Sequence, residues 1–290
     1  MIHRALFVFW FVFSTVTPAM AIDLAPLWNF SDPALSEQRF REAQATAGAD
    51  DALILQTQIA RTYGLRKDFA RAQQILREME PRLPGSGAEV RVRHALEYGR
   101  TLASTAHDEA SQSPEVKEQA RLAYGRALEL AKAAHLDGLA VDTLHMMAMV
   151  DTAPADQLKW GQEALAVVQA STQPDAKKWE ASLRNNIGYA LHQLGRFDEA
   201  LDQFQQQVGL RERGTNAEAT RVAYWMFAWT LRSLKRHDEA LAIQQRLERE
   251  GDAAGEPDPY VFEELEILYR ERGDLPRAEA AAARKKALEK

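Results

Sequence analysis

The side chains that could carry acid–base or metal chemistry are scattered along this chain. Its 290 residues include seven histidines and no cysteine, and they contain no phosphate-binding glycine loop, His-Glu-x-x-His pair or Gly-x-Ser-x-Gly turn. A zinc site would need histidines and carboxylates assembled by folding, whereas His145, beside Met146-Met147, has the neighbours of a packed core histidine. Paired acids such as Glu263-Glu264 are typical of solvated helix faces. We therefore predict no enzyme activity, no catalytic residue, no metal site and no cofactor.

A candidate for molecular recognition is the unusually apolar stretch at 222–231, VAYWMFAWTL. In a helix whose packing stripe includes Phe227 and Leu231, Trp225 and Trp229 point together from the other side, because residues i and i+4 share a face. Exposed tryptophan, tyrosine and arginine supply much of the binding energy at interfaces. The alternative is that superhelical curvature or the segment at 22–35 already buries these side chains.

The elements that must position these residues recur along the chain. The stretch at 179–210 and a looser copy at 222–242 share the tetrapeptide DEAL, and their alanines Ala200 and Ala240 are forty residues apart. In this alignment Ile187-Gly188 and Leu191 fall opposite Phe227-Ala228 and Leu231. This pattern resembles the tetratricopeptide repeat, a helix–turn–helix unit with a fixed scatter of apolar and small residues.

The resemblance extends over about residues 50–290 and is strongest at 50–80 and 180–245. It implies an all-α fold, a right-handed superhelical solenoid of about six antiparallel helix pairs, in a repeat domain at 49–290. Helix starts are predicted at Asp50-Asp51, Ser113-Pro114, Pro154 and Asp258-Pro259, where a capping side chain or a first-turn proline precedes an apolar stripe.

In such proteins the first helices of the units line a concave face that usually holds a peptide or partner. With that helical phase the predicted partner-binding residues are Asp142, Met146, Met149, Asn185, Tyr189, His192, Trp225, Trp229, Arg232, Glu263 and Arg270, with Arg61 and Arg100 added by earlier units. The leading hypothesis is a non-enzymatic scaffold that binds a protein or peptide. The alternative is a periplasmic binding module for a small apolar or aromatic ligand that uses Trp225 and Trp229. A hydrolase has no motif to support it.

The N-terminus has the pattern of a secretory signal peptide at 1–21. Arg4 precedes an almost wholly apolar stretch at 5–16, and Pro18-Ala19-Met20-Ala21 ends in a small-x-small site, so we expect cleavage after Ala21. The apolar stretch is too short to span a bilayer, and we expect no membrane insertion once the signal is removed. The predicted location is the periplasm or the exterior of the cell.

Two further expectations follow from composition. Residues 22–48 contain two prolines and no regular period at their start, which predicts an extended arm followed by a short helix from Ser36 to about Ala45. The net charge of −6, without a basic run, argues against nucleic acid or anionic membrane as a partner. The absence of cysteine excludes disulfides, so packing alone must stabilise the fold.

Overall fold

The structure is a computed structural model that describes residues 22–289, so the predicted signal sequence at 1–21 lies outside the described residues. This part of the chain is all-α, as the repeat pattern predicted, and within it no strand occurs. The helices are α1 (Pro33–Gln44), α2 (Ala49–Leu65), α3 (Phe69–Met79), α4 (Ala88–Leu102), α5 (Pro114–Ala133), α6 (Asp137–Val150), α7 (Pro154–Ala170), the short α8 (Pro174–Lys177), α9 (Glu180–Gln193), α10 (Phe197–Arg211), α11 (Ala217–Ser233), α12 (His237–Ala254), α13 (Pro259–Glu271) and α14 (Leu275–Leu288).

Six helix pairs stack into a repeat solenoid. The pairs are α2–α3, α4–α5, α6–α7, α9–α10, α11–α12 and α13–α14, and the second helix of each pair also packs on the first helix of the next. The core is consequently a series of apolar clusters along the stack, each shared between neighbouring units. We call the surface formed by α2, α4, α6, α9, α11 and α13 the first-helix face. Among residues 22–289, none of the helices combines the length and apolar character of a membrane span.

Close approach of the two helices in a pair depends on a small residue facing a large one. In the fourth pair Phe204 is fully buried against Gly188, where a Cβ would lie 2.7 Å from the phenylalanine ring. In the second pair a Cβ on Gly99 would lie 2.5 Å from the ring of Tyr124. Both glycines are therefore required by the ring that packs on them, rather than by backbone conformation.

The fifth helix pair has different residues at the positions of Gly188 and Phe204. Gln244 of α12 and the fully buried Ala228 of α11 stand forty residues after Phe204 and Gly188, at the equivalent positions of the repeat. Gln244 is itself fully buried, and within residues 22–289 neither of its amide atoms has a hydrogen-bond partner. A buried amide without a partner is a local destabilising feature of this repeat.

Several predicted helix starts are confirmed by their caps. The Ser113 hydroxyl accepts a hydrogen bond from the Val116 amide at 3.3 Å, with Pro114 in the first turn, and Asp258 caps α13 in the same way. Pro154 begins α7 as expected. These short-range signals act within one turn and are therefore readable from the sequence.

Two predicted starts need correction. Helix α2 begins at Ala49 with Gly48 at the N-cap, because the Asp50 side chain instead accepts a hydrogen bond from the Gly87 amide, 2.9 Å away at the start of α4. Helix α1 begins at Pro33 rather than Ser36, since the Asp32 carboxylate accepts from the Leu35 amide. In both places a carboxylate contact decides where the helix begins.

The segment at 22–32 lies against the first helix pair. Trp28 stacks on Phe30 with ring centroids 4.6 Å apart and meets the edge of the fully buried Phe40 at 4.9 Å. The guanidinium of Arg61, on α2, lies 5.3 Å from the Trp28 ring centroid and 5.7 Å from that of Phe30. The arm thus covers the beginning of the first-helix face and fixes one of its arginines.

Candidate binding sites on the first-helix face

Five aromatic side chains form a continuous row across the last three helix pairs. The stack runs from Tyr189 and His192 on α9, through Trp229 and Trp225 on α11, to Tyr260 on α13. His192 and Trp229 have ring centroids 3.4 Å apart, Trp225 and Trp229 lie 5.8 Å apart, and Tyr189 lies 6.1 Å from Trp229. Tyr260 meets Trp225 edge-on at 6.2 Å. We call this set the aromatic row.

The repeat itself brings these rings together. Tyr189 and Trp229 occupy equivalent positions in consecutive units, forty residues apart, and Trp225 is one turn before Trp229 on the same side of α11. The row remains accessible at both ends, where Tyr189 is 44% and Tyr260 is 63% exposed. The tryptophans are only partly buried. The arm at 22–32 packs at the other end of the stack, on α1 and α2, and its aromatic contacts are with residues there.

The row is electrically neutral near pH 7. Burial, reinforced by the positive charge of Arg232, lowers the pKa of His192 to about 4, so its imidazole is uncharged. The His192 Nε2 atom lies 2.9 Å from the Ser233 hydroxyl, which fixes the ring against Trp229. The indole nitrogen of Trp225 is buried and has no hydrogen-bond partner within residues 22–289. The row therefore offers an apolar surface, and its one unsatisfied donor lies beneath that surface.

The charged residues predicted at this end of the face are held in ion pairs. Arg232 makes two hydrogen bonds to the buried Glu264, at 2.7 and 2.8 Å. Glu263 pairs with Lys285 of α14 at 2.7 Å, and the exposed Arg270 pairs with Glu266 at 2.9 Å. Arg232, Glu263 and Arg270 are thus each paired with an opposite charge within the described chain.

The expectation that Glu263-Glu264 lies on a solvated helix face is wrong for Glu264, which is buried and paired with Arg232. The signal was available, because Glu264 falls on the same helical stripe as the buried residues Val261, Leu265 and Leu268. An acid on a buried stripe requires a partner, and Arg232 supplies it.

A second group of side chains, the charged cluster, occupies the first three helix pairs. It consists of Arg61 on α2, Glu97 and Arg100 on α4, and Asp142 on α6. The Arg100 guanidinium donates to one oxygen of Glu97 and to one oxygen of Asp142. Glu97 is 2% exposed, and its Oε2 atom has no hydrogen-bond partner among residues 22–289.

The charged groups of the cluster shift one another's pKa values. Burial opposes the positive charge of Arg100, but the carboxylates of Asp142 and Glu97 raise its pKa above the usual value. Burial also opposes the negative charge of Asp142, and Arg100 and Arg61 nevertheless lower the pKa of that carboxyl. For Arg61 the balance is the reverse, because burial and the charge of Arg100 together lower its pKa. Arg61 is thus the member whose charge is least compensated.

A cavity of about 230 Å³ opens beside this cluster. Its lining includes all four charged side chains together with His145, Met146 and Trp179. A shallower depression of about 480 Å³ follows it along the first-helix face and shares His145 and Trp179 with the cavity. The residues that line the depression include three with amide side chains, Asn185, Asn186 and Gln207. Within the described chain, no group of three histidine or carboxylate side chains is arranged to hold a metal ion.

The predicted binding residues thus divide between two places. Tyr189, His192, Trp225 and Trp229 are in the aromatic row, and Arg232 adjoins it. Asp142 and Met146 lie at the cavity, although Met146 is buried to 7% exposure. Met149 packs partly buried against the core of the second and third pairs. Asn185 accepts a hydrogen bond from Gln207 at 3.2 Å in the depression between the two places.

Residues 179–249 match the family model of the tetratricopeptide repeat, which covers the fourth and fifth helix pairs. The helix pairs on either side of this segment stack in the same way. The chain is therefore a tetratricopeptide-like repeat protein. No curated protein resembles its sequence significantly.

One solved structure agrees with the fold, and two others match with TM-scores below 0.5. A signal transduction ATPase with numerous domains, which carries a tetratricopeptide repeat sensor and comes from Pyrococcus horikoshii, superposes with a TM-score of 0.68 at 12% identity, over 89% of this chain and 39% of that one. The chain thus spans well under half of that protein. BtubC from P. vanneervenii matches 92% of this chain and 91% of its own at 16% identity, with a TM-score of 0.41. NprR, solved with its cognate peptide NprX, matches 90% and 87% at 11% identity, with a TM-score of 0.37. At these identities the likeness concerns the fold alone.

Proposed function

We propose that this chain is a non-enzymatic scaffold that binds a protein or peptide partner on the concave side of its solenoid, with the aromatic row as the main contact. The supporting observation is the row itself, which continues over three successive first helices and ends in two exposed tyrosines. Rigid aromatic side chains bury large apolar areas with little loss of conformational entropy, which suits them to anchor a partner.

The shape of the surface favours a polypeptide over a small ligand. The row extends along the stack instead of enclosing a cavity, and the open depression of about 480 Å³ adjoins it on α9 and α11. The partly buried amide side chains of Asn185 and Asn186 line that depression, with the buried Gln207 behind them. Amide side chains are suited to pair with the backbone of an extended peptide.

The proposal includes export. The pattern at 1–21 supports removal of a signal peptide and action in the periplasm or outside the cell. N-terminal sequencing of the protein recovered from its native host tests this part, with Ile22 expected as the first residue. A protein that retains Met1 in the cytoplasmic fraction would contradict it.

Partner capture with matched variants tests the binding face. Crosslinking and affinity capture from a periplasmic extract compare the wild type with Trp225→Ala/Trp229→Ala, and Tyr189→Ala/Tyr260→Ala serves as a second variant that perturbs the core less. The control is Leu122→Ala, which removes an exposed side chain from a second helix, α5. We expect both aromatic variants to keep wild-type circular dichroism and to lose the partner, while the control retains it.

Two results would overturn the proposal. Equal capture by the wild type and by both folded aromatic variants would place the partner elsewhere. Quenching of tryptophan fluorescence by a fraction of small metabolites, with no effect of the macromolecular fraction, would favour instead a binding module for a small apolar or aromatic ligand.

A further inference from the structure

The cavity at the charged cluster has features that the proposed partner face does not use. It lies between α2, α4 and α6 and is closed at one side by Trp179, before α9. The aromatic row begins on α9, so the two sites can be altered separately. Binding of a ligand in this cavity therefore does not depend on the proposed function.

The guanidinium of Arg61 lines this cavity and, among the described residues, has only a long ion pair there. Within residues 22–289 its guanidinium makes no hydrogen bond, and the nearest carboxylate oxygen, Oε1 of Glu97, is 4.0 Å away. The rings of Trp28 and Phe30 hold the guanidinium from the side of the arm. Arg61 remains 26% exposed and lines the cavity. A fixed planar guanidinium with unused donors matches the two oxygens of a carboxylate.

The two carboxylates of the cluster, which lie near Arg61, each retain one oxygen without a hydrogen bond in the part of the chain that the structure describes. Arg100 occupies one oxygen of Glu97 and one of Asp142, which leaves Oε2 of Glu97 and Oδ2 of Asp142 without a hydrogen bond in the described chain. Asp142 is 15% exposed and Glu97 is nearly inaccessible, so Asp142 is the carboxylate that a bound ligand can reach. Asp142 stays ionised because the neighbouring arginines favour the charged form of its carboxyl.

The charge balance selects the class of ligand. The cluster contains two cations and two carboxylates, so a lone anion would satisfy Arg61 but would lie close to Asp142 and Glu97. A lone cation would pair with the carboxylates but would be repelled by Arg61. A ligand that carries both a negative and a positive group can pair with Arg61 and with Asp142 at the same time.

The volume of the cavity and the residues that line it restrict the class of ligand further. A volume of about 230 Å³ is smaller than the roughly 300–1,000 Å³ of sites for drug-sized ligands. Away from the charges the walls include Leu65, Met146 and Trp179. We propose that this cavity binds a free α-amino acid with an apolar side chain, its carboxylate on Arg61 and its ammonium group on Asp142. A bound carboxylate would also offset the burial and the repulsion from Arg100 that now disfavour the charge of Arg61.

Calorimetric titration of the purified protein with L-leucine and L-phenylalanine tests the proposal. We expect one site per chain, accompanied by a change in tryptophan fluorescence because Trp179 lines the cavity and Trp28 adjoins Arg61. The probes 4-methylpentanoate and 3-methylbutylamine each lack one charge of leucine. Each is expected to bind at least tenfold more weakly than leucine, since a buried charge is then left without its partner.

Variants identify the groups that bind. Arg61→Gln is expected to weaken leucine binding at least tenfold, Arg61→Lys to weaken it less because the charge remains, and Asp142→Asn to remove the preference for leucine over 4-methylpentanoate. The control Arg196→Gln removes an exposed arginine that pairs with Glu199 away from both sites, and it should leave binding unchanged.

Several outcomes would overturn the inference. They are no binding of either amino acid at millimolar concentration, equal binding of leucine and 4-methylpentanoate by the wild type, or undiminished leucine binding in folded Arg61→Gln. Trp225→Ala/Trp229→Ala should bind leucine normally even where partner capture is lost, so failure of this inference and failure of the proposed function are distinguishable.

Discussion

Replacing Gln244 by methionine is expected to stabilise the protein. Gln244 is fully inaccessible in α12, and within the described residues neither its amide oxygen nor its amide nitrogen is hydrogen-bonded. Protein mutational data put the cost of burying an unpaired amide at about 1–3 kcal/mol. Methionine removes both polar atoms while keeping an unbranched side chain of similar length.

The comparison isolates the amide because the other contributions nearly cancel. Glutamine and methionine have similar helix propensities and lose similar rotamer entropy on burial. The net gain expected for Gln244→Met is therefore the same ~1–3 kcal/mol. In chains of roughly 150–250 residues, each kcal/mol raises the melting temperature by about 2–4 °C. A repeat protein can unfold in segments, so chemical denaturation must be followed by both circular dichroism and tryptophan fluorescence.

A larger replacement supplies the control. Phe204 holds the equivalent position in the preceding unit, where it packs on a glycine that has no room for a Cβ. The fifth unit has Ala228 there, so Gln244→Phe alone should overpack and destabilise by about 1–3 kcal/mol. Adding Ala228→Gly should recover much of that loss, apart from roughly 1 kcal/mol for glycine inside a helix. If Gln244→Met is no more stable than the wild type, the amide has a partner and the reasoning fails.

Three other predictions concern single residues. Gly188→Ala should destabilise the fourth unit by about 1–3 kcal/mol in urea denaturation, less the small gain in helix propensity, because its Cβ would lie 2.7 Å from the Phe204 ring; an unchanged midpoint would show that the ring can move. Ser113→Ala should cost about 1 kcal/mol through loss of the α5 cap, and a loss within error would mean that Pro114 suffices. His192 should titrate near pH 4 by NMR, and since the unfolded chain binds that proton first, stability should fall as the pH decreases from about 6.5 toward 4. His192→Gln should remove this part of the pH dependence, and a His192 titration near 6.5 would contradict the burial argument.

The fold was predictable because its signals are short-range and repeated. The spacing of Gly188, Ala200 and Phe204 indicates one helix pair. The similar repeat around Ala240 indicates the next pair. Of the two helix starts that were predicted wrongly, that of α1 has a local cap at Asp32, whereas that of α2 involves a distant contact. The bond between the Asp50 carboxylate and the Gly87 amide joins residues 37 apart, and nothing local in the sequence indicates it.

The candidate sites show the same division between repeated and unrepeated contacts. Trp229 and Tyr189 stand eleven residues before the second-helix alanines Ala240 and Ala200, so the repeat period alone places them on one face. Arg61 stands eleven residues before Ala72 and belongs to the same series, but its surroundings come from Trp28 in the arm and from α4. Its role could not be read from the repeat. One repeat position thus carries a cation at the start of the stack and aromatic rings further along it. Since the stacking is the same at both ends, the chemistry of each site is set by what the neighbouring, non-repeated segments add to that position.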